Sequence, residues 1–526
     1  MTRLLILACA VLVGSFANAQ TVDNRPNILF IIADDMGFTD LGSFGSEIAT
    51  PNLDELAFEG VRLGSLHAAN QCQATRVMLM ASTSVASALE LRPPLPSGDR
   101  NNRLSLEWAI LPVLLQDAGY QTYMAGKWDL GMSGEYTPAR RGFDRSFAML
   151  GASASHTAEY FRSDMIVYED DGVGVHIDDL AEDFYSTRAH TDKMLEYLGA
   201  HEEGAPWFGY LTYTAPHWPL QVPDDWLDRY AGRYDAGYDV LREERLARAQ
   251  ELGVLPAQAR PEQFEPLAPQ WTSLSAEEKR DHARAQEIYA AMLEYMDASV
   301  GRIVDYLEAS GQLDNTLIVF MSDHGASPSG IRRRFPNGLA GSNNSFENFG
   351  RMGSFIDHGR GFAEAATAPF RYFKGTLSEG GLRAAAFVRY PESIPSGGVS
   401  HEFVTVMDIL PTFLEIAGRT HPGAGDYHGR QINRIRGRSM WSHLKGESPT
   451  VHAATDTAGW TLRDAGALVR GRHKVINEPS PDSEGVTRTP WRLYDLVDDP
   501  GEARDLAAQL PDLTAELVGE WETNWR

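Results

Sequence analysis

Asn27-Ile28-Leu29-Phe30-Ile31-Ile32-Ala33, running straight into Asp34-Asp35, is the segment whose reading sets the fold. Its apolar residues do not alternate with polar ones, so both faces of the strand must be covered. A strand buried on both faces belongs to a parallel sheet with helices above and below it. Asp34-Asp35 marks the carboxyl end of that strand, where a turn begins.

The same grammar repeats outward from this segment. Thr50-Pro51 starts a helix that stops at Gly60, with proline just inside the start and glycine at the end. A second helix is predicted over residues 106–118, stopping at Gly119. A strand over 120–125 leads into Gly126-Lys127-Trp128-Asp129. Another over 207–214 ends in Ala215-Pro216-His217-Trp218-Pro219. A long helix over 283–309 stops at Gly311, and a strand over 316–321 ends in Ser322-Asp323-His324-Gly325. This alternation predicts an α/β fold with a large mixed, mostly parallel sheet sandwiched by helices. Residues 225–281 are charged and helix-prone, and read as a solvated excursion. Residues 327–381, rich in Gly, Asn, Ser and Arg, read as long loops over a site, with 330–366 setting substrate choice. Beyond residue 446, short strands at 460–462, 466–469, 473–476 and 491–496 precede a helix from Asp512. They predict a small C-terminal α+β domain with an antiparallel sheet, giving a division into 20–446 and 447–526.

At 526 residues the chain is longer than one ordinary domain, and 43% hydrophobic with 23% charged residues excludes a disordered or fibrous protein. Its 47 basic and 72 acidic residues give a net charge of −25. Such a surface repels nucleic acid and anionic lipid, so an anionic substrate requires a local group of cations. Met1-Thr2-Arg3, the apolar residues 4–13 and Ala17-Asn18-Ala19 form the three parts of a secretory signal peptide, residues 1–19. The expected location is therefore periplasmic or secreted. No later stretch is long and apolar enough to insert stably in a membrane. Cleavage after Ala19 removes Cys9 and leaves Cys72 as the single cysteine, which excludes a disulfide scaffold. An unpaired cysteine is commonly a buried core residue, but Asn70, Gln71, Gln73, Thr75 and Arg76 around Cys72 are polar.

Four strands finish in polar clusters: Asp34-Asp35, Lys127 with Asp129, His217, and Asp323-His324. Singly, these read as a turn cap, a solvated lysine, a core histidine bonded to a carbonyl, and a plain turn. Jointly, they stand where open α/β sheets bind ligands. Carboxylates beside an imidazole make a hard-cation site that selects Ca²⁺ or Mg²⁺. Cys72, with Arg76 four residues on, fits the start of a helix whose amides face an anion. Arg76, Lys127 and Lys374 supply the local cations. Metal, cations and a nucleophile together indicate transfer chemistry on a sulfate or phosphate ester.

These residues resemble those of the sulfatases of the alkaline phosphatase superfamily, most closely bacterial arylsulfatases. The matching stretches are RPNILFIIADDMGFTDLGSFG from Arg25, ATPNLDELA from Ala49, AGYQTYMAGKW from Ala118, TAPHWPLQVP from Thr214, LDNTLIVFMSDHG from Leu313 and WRLYDLVDDPGEARDL from Trp491. The resemblance implies a sulfuric ester hydrolase in which Cys72 is oxidised to formylglycine by a formylglycine-generating enzyme during export. Its hydrated aldehyde attacks sulfur, releasing an alcohol or phenol and then sulfate. Asp34, Asp35, Asp323, His324 and the modified Cys72 are implied as calcium ligands. The same resemblance implies that Arg76 stabilises the hydrate, that Lys127, His217 and Lys374 hold the sulfate, and that His217 protonates the leaving group. The implied partner is a small sulfated substrate, an aryl sulfate or a sulfated sugar. Three positions depart from the family pattern. Ala74 replaces the proline of C-x-P-x-R, Met80-Ala81-Ser82 replaces leucine-threonine-glycine, and Asp129 stands where the family has a histidine. Two other readings accompany the first: a phosphodiesterase or phosphonate monoester hydrolase of the same superfamily, and a degenerate sulfatase that binds sulfated ligands without turnover.

Calcium with Arg76, Lys127 and Lys374, set against three ligand aspartates and Asp129, leaves the pocket at about +1. A monoanionic sulfate ester suits that charge better than a dianionic phosphate ester. Initial rates on p-nitrophenyl sulfate are therefore expected to exceed those on p-nitrophenyl phosphate, and a phosphate preference would refute the charge argument.

Overall fold

The computed structural model describes residues 25–92, 102–159, 166–202, 204–256, 266–328, 341–483, 486 and 488–526. The signal-peptide segment and residues 329–340 of the predicted loops lie outside them. Five strands form the centre of the main sheet: β1 (Asn27–Ala33), β3 (Gln121–Lys127), β4 (Arg145–Met149), β7 (Trp207–Thr212) and β8 (Thr316–Ser322). They lie in the order β8-β1-β7-β3-β4 and every neighbouring pair is parallel. Beyond β8 the sheet continues through β9 (Ala386–Arg389), β2 (Val61–Leu63) and β10 (Gly398–Ser400). Beyond β4 it ends in the antiparallel hairpin β5 (Ile166–Asp170) and β6 (Val173–His176). The mixed, mostly parallel sheet is the one expected.

Alternate side chains of β1 feed two separate cores. Ile28, Phe30 and Ile32 point to one, Leu29, Ile31 and Ala33 to the other. The first core is closed by α2 (Cys72–Ala81), α3 (Leu111–Asp117) and α8 (Ile409–Ile416). The second is closed by α1 (Pro51–Glu59), α4 (Ser186–Gly199), α5 (Tyr238–Glu251), α6 (Ala276–Ala309) and α7 (Gly359–Ala366). A four-stranded antiparallel sheet, β11 (Ala458–Leu462), β12 (Ala465–Arg470), β13 (His473–Ile476) and β14 (Arg492–Asp495), follows. With α9 (Pro511–Asn524) it buries Trp460, Leu468, Leu517 and Trp521 in the first core.

The differences from the sequence reading have local causes. The second helix starts at Leu111 rather than 106, because Pro112 sits in its first turn and Ile110 before it is extended. The long helix starts seven residues earlier than read, at Ala276, where Ser275 and Glu278 form a reciprocal cap: Ser275 Oγ accepts from Glu278 N at 3.2 Å and Ser275 N donates to Glu278 Oε2 at 2.8 Å. The predicted loops over 327–381 contain α7, whose Gly361 lies so close to the Tyr238 ring that a Cβ would meet it at 2.4 Å.

Among the described residues of 225–281, the charged pattern is not all solvated. Within them α5 buries Arg245 completely, and its guanidinium donates to Asp40 Oδ1 at 2.6 Å and to Glu47 Oε2 at 2.9 Å. The partners are some two hundred residues away, so the local charge pattern carries no sign of them. Asp40 Oδ2 in turn accepts from Gly37 N and Tyr289 Oη, both at 2.7 Å, and so fixes the turn that follows Asp35. Arg245 draws the Glu47 carboxyl down to about 2 against the effect of burial. Arg245→Met takes the buried guanidinium from both Asp40 and Glu47, leaving Arg248 at 3.6 Å from Glu47 as the nearest cation, and is expected to cost about 3–5 kcal/mol, read from denaturant unfolding. A loss below about 1 kcal/mol would place the cluster in the class of surface pairs.

Candidate functional site

The carboxyl ends of β8, β1, β7 and β3 lie side by side. Register pairs Ser322 with Ala33, Ile32 with Thr212, and Thr212 with Gly126, so the residues that follow emerge at one edge. Asp34 and Asp35 leave β1, Lys127 ends β3, His217 follows β7, and Asp323-His324 follows β8. Gly126 makes the placement of Lys127 feasible: its φ is +122°, and a Cβ there would lie 1.9 Å from the Thr212 carbonyl oxygen.

Cys72 is the first residue of α2, preceded by extended Gln71, as its sequence context predicts. The helix is locked to the strand ends within its first turn. Thr75 Oγ1 donates to the Asp323 carbonyl at 2.7 Å and accepts from Ala69 N at 3.0 Å. One turn beyond Cys72, on the same face, Arg76 Nη1 donates to the Lys127 carbonyl at 2.6 Å, and Nη2 lies 3.7 Å from Asp323 Oδ2.

Nine of the ten predicted side chains converge directly. Ligand atoms of Asp34, Asp35, Cys72 and His324 all lie within 4.8 Å of one another. Lys127 Nζ donates to Asp34 Oδ2 at 2.6 Å. Lys374 Nζ donates to Asp35 Oδ1 and lies 3.3 Å from Cys72 Sγ. His217 Nε2 is 3.4 Å from Asp35 Oδ2. His324 Nε2 is 3.2 Å from Cys72 Sγ and 3.4 Å from both Asp35 Oδ1 and Asp323 Oδ1, while its Nδ1 donates to the Gly325 carbonyl at 2.9 Å. Asp323 stands just behind the other four, its Oδ1 accepting from Asp35 N at 3.1 Å. The tenth, Asp129, joins at the edge. Gln73 Nε2 donates to its main-chain oxygen at 2.9 Å and lies 3.5 Å from its Oδ1, and its charge bears on Lys127.

The electrostatics are those of a site short of positive charge. Burial alone would raise the Asp34 carboxyl, but Lys127 holds it well below the ordinary range. Asp323 is the opposite case: burial pushes it well above, and Asp34 and Cys72 close by add to the effect. Despite full burial, Asp323 and Cys72 raise the His324 imidazole to about 9. Burial also opposes ionisation of Cys72, yet Lys127, Lys374 and His324 draw the thiol below its usual value. Asp34 Oδ1, Asp35 Oδ2 and Asp323 Oδ2 are buried with no hydrogen-bond partner. Three orphaned carboxylate oxygens beside an imidazole fit a hard divalent cation, and the Gly325 carbonyl fixes the tautomer that would present Nε2 to it.

Gln73, Thr75 and His156 support the site and were not singled out in the sequence. His156 is buried, with Nε2 donating to the His217 carbonyl at 2.8 Å, and burial lowers it to about 4, so it is neutral. Gln73 and Thr75 at least lie inside the stretch from Cys72 to Arg76, whereas His156 stands in an irregular segment with no periodic or spacing signal.

A pocket where cations and carboxylates interleave around a helix N-terminus suits an oxyanion ester. The chain belongs to the sulfatase family: the family model described as Sulfatase matches residues 26–419. It is 40% identical over 534 residues to an uncharacterized sulfatase of Schizosaccharomyces pombe, covering 96% of this chain and 94% of that protein. It is 34% identical over 424 residues to an arylsulfatase of Klebsiella aerogenes, covering 78% of this chain and 89% of that enzyme. A solved structure in complex with its substrate, D-glucosamine-2-N,6-O-disulfate, shares the fold at a TM-score of 0.60 and 21% identity, over 95% of this chain and 97% of the other. Among the described residues no helix is long and apolar enough to cross a membrane.

Calcium at a hundredfold excess over Kd is expected to stabilise metal-stripped protein by about 2.7 kcal/mol, read as a rise in melting temperature. Asp35→Asn is expected to abolish most of that rise. An unchanged calcium response in this variant would remove Asp35 from the ligand set.

Proposed function

We propose that the protein hydrolyses sulfate esters, releasing sulfate and an alcohol or phenol, with Cys72 converted to formylglycine and calcium bound by Asp34, Asp35, Asp323 and His324. The observation that carries this reading is the convergence of Cys72, at the start of α2, with orphaned carboxylate oxygens at two strand ends and with the amines of Lys127 and Lys374. Cys72 Sγ stands where an oxygen of the modified residue would lie. Formylglycine would supply a hydrated aldehyde hydroxyl as nucleophile toward sulfur. Calcium would offset the carboxylate charge and favour an anionic group beside it.

The chain's own residues account for the remaining work. Lys127 and Lys374 flank Cys72 and hold the anionic oxygens of the ester. Arg76, fixed by the Lys127 carbonyl, keeps positive charge at the foot of the nucleophile. His217 donates through Nδ1 to the Trp218 carbonyl, which turns Nε2 into the cluster; burial lowers its pKa, so it protonates the leaving oxygen from the imidazolium form, which the Asp35 carboxylate 3.4 Å away favours. His156 holds that turn from behind. A sulfated aryl or sugar ring is the substrate class, in keeping with relatives named arylsulfatase and N-acetylgalactosamine-6-sulfatase. An export signal in residues 1–19, a catalytic unit over 20–446 and a C-terminal α+β unit over 447–526 complete the proposal.

Ala74 and Asp129 favour a second reading, a pocket that binds sulfated ligands without turnover. A carboxylate at 129 cannot donate a proton when ionised, and the modifying enzyme reads an extended segment that proline favours. Mass spectrometry of the tryptic peptide from Leu63 to Arg76, taken from protein exported by its native host, separates the two. The expected product has the Cys72 thiol replaced by an aldehyde or its hydrate. An intact thiol would overturn the enzyme reading in favour of binding.

A further inference from the structure

The turn that carries Lys374 is tied on both sides. Toward the site, Lys374 N donates to the Ala326 carbonyl at 3.0 Å and Gly375 N donates to the Asn70 carbonyl at 2.8 Å. Away from it, three consecutive residues are held by carboxylates from the C-terminal part of the chain. Leu377 N donates to both oxygens of Glu478 at 2.8 Å, Ser378 Oγ lies 3.4 Å from Glu478 Oε2, and Glu379 N donates to Glu502 Oε2 at 2.8 Å. The Glu379 side chain closes the loop. Its Oε1 is 2.8 Å from Lys474 Nζ, which also meets Glu502 Oε1 at 2.9 Å, and its Oε2 is 2.9 Å from both His67 Nε2 and Arg383 Nε.

Every member of this network is buried: Lys474 and Glu379 are 0% exposed, Glu502 1% and Glu478 5%. Burying so many charges is a poor way to gain stability, because an apolar junction of the same volume serves as well or better. What buried hydrogen-bond acceptors do provide is fixed placement of the backbone they bind. The backbone bound here leads directly to Lys374, whose amine touches Asp35 and Cys72.

We infer that Glu478 is a positioning residue for Lys374: its carboxylate, from the segment after β13, holds the 374–379 turn so that the Lys374 amine reaches the sulfate-binding edge of the site. The C-terminal sheet thereby takes part in substrate binding without touching substrate. This rests on the sulfatase reading for what Lys374 does, but not for where it is held.

The test uses the full-length, modified enzyme. Glu478→Ala and the charge-conserving, shorter Glu478→Asp are expected to raise KM for an aryl sulfate roughly tenfold or more while kcat changes less. Glu478→Gln, whose Oε1 still accepts from Leu377 N, is expected to stay near wild type. In a Lys374→Ala background, Glu478→Ala should add almost nothing, since the group it positions is gone. Additive losses, or an unchanged KM in Glu478→Ala, would overturn the inference. A crystal structure of Glu478→Asp gives a readout independent of turnover. Displacement of Lys374 Nζ from Asp35 supports the inference, and an unmoved amine refutes it even if the wild-type protein hydrolyses no sulfate ester. Wild-type inactivity by itself counts only against the sulfatase reading.

Discussion

Three aspartates forced together at the carboxyl edge of a parallel sheet are the constraint from which the rest of this molecule follows. Asp34, Asp35 and Asp323 are almost fully buried, and each retains one oxygen without a hydrogen-bond partner. Carboxylates in that position repel one another and are starved of water, so positive charge must be brought to them. Lys127 comes from the end of β3, Arg76 from the first turn of α2, His324 from beside Asp323, and Lys374 from a distant turn. Even so, Asp323 is pushed well above the ordinary carboxylate range, which leaves the site receptive to a cation.

Around that centre the fold invests buried charge where placement matters. Arg245 with Asp40 and Glu47 fixes the turn after Asp35, and Lys474 with Glu379 and Glu502 braces the turn after Lys374. Neither cluster touches the site directly. Each binds backbone one short turn away from a side chain that does, so the geometry of the pocket is held by rigid supports rather than by the pocket residues themselves.

The division between what was legible in the chain and what was not follows interaction range. The apolar runs of β1 and β8 announced strands covered on both faces, and the two cores that share β1 are the reason those runs do not alternate. Pro51 and Gly60 marked α1, and polar residues at four strand ends announced the site. Two boundaries turn on local capping chemistry: Ser275 with Glu278 starts α6 at Ala276, and Pro112 delays α3 to Leu111. The charged stretch around Arg245 reads as solvated in the sequence because its partners, Asp40 and Glu47, lie some two hundred residues away.

The sequence by itself determined the sheet, its helical cover and the identity of the polar residues at its carboxyl edge, because periodicity and turn chemistry act over a few residues. Only the tertiary structure decided how those residues meet. Asp323 sits behind the cluster formed by Asp34, Asp35, Cys72 and His324, and Asp129 joins at the edge through Gln73. His156 supports His217 from an irregular segment, and the C-terminal carboxylates hold the turn of Lys374. Those relations are set by parallel register and by burial of charge against charge across hundreds of residues, which no local pattern encodes.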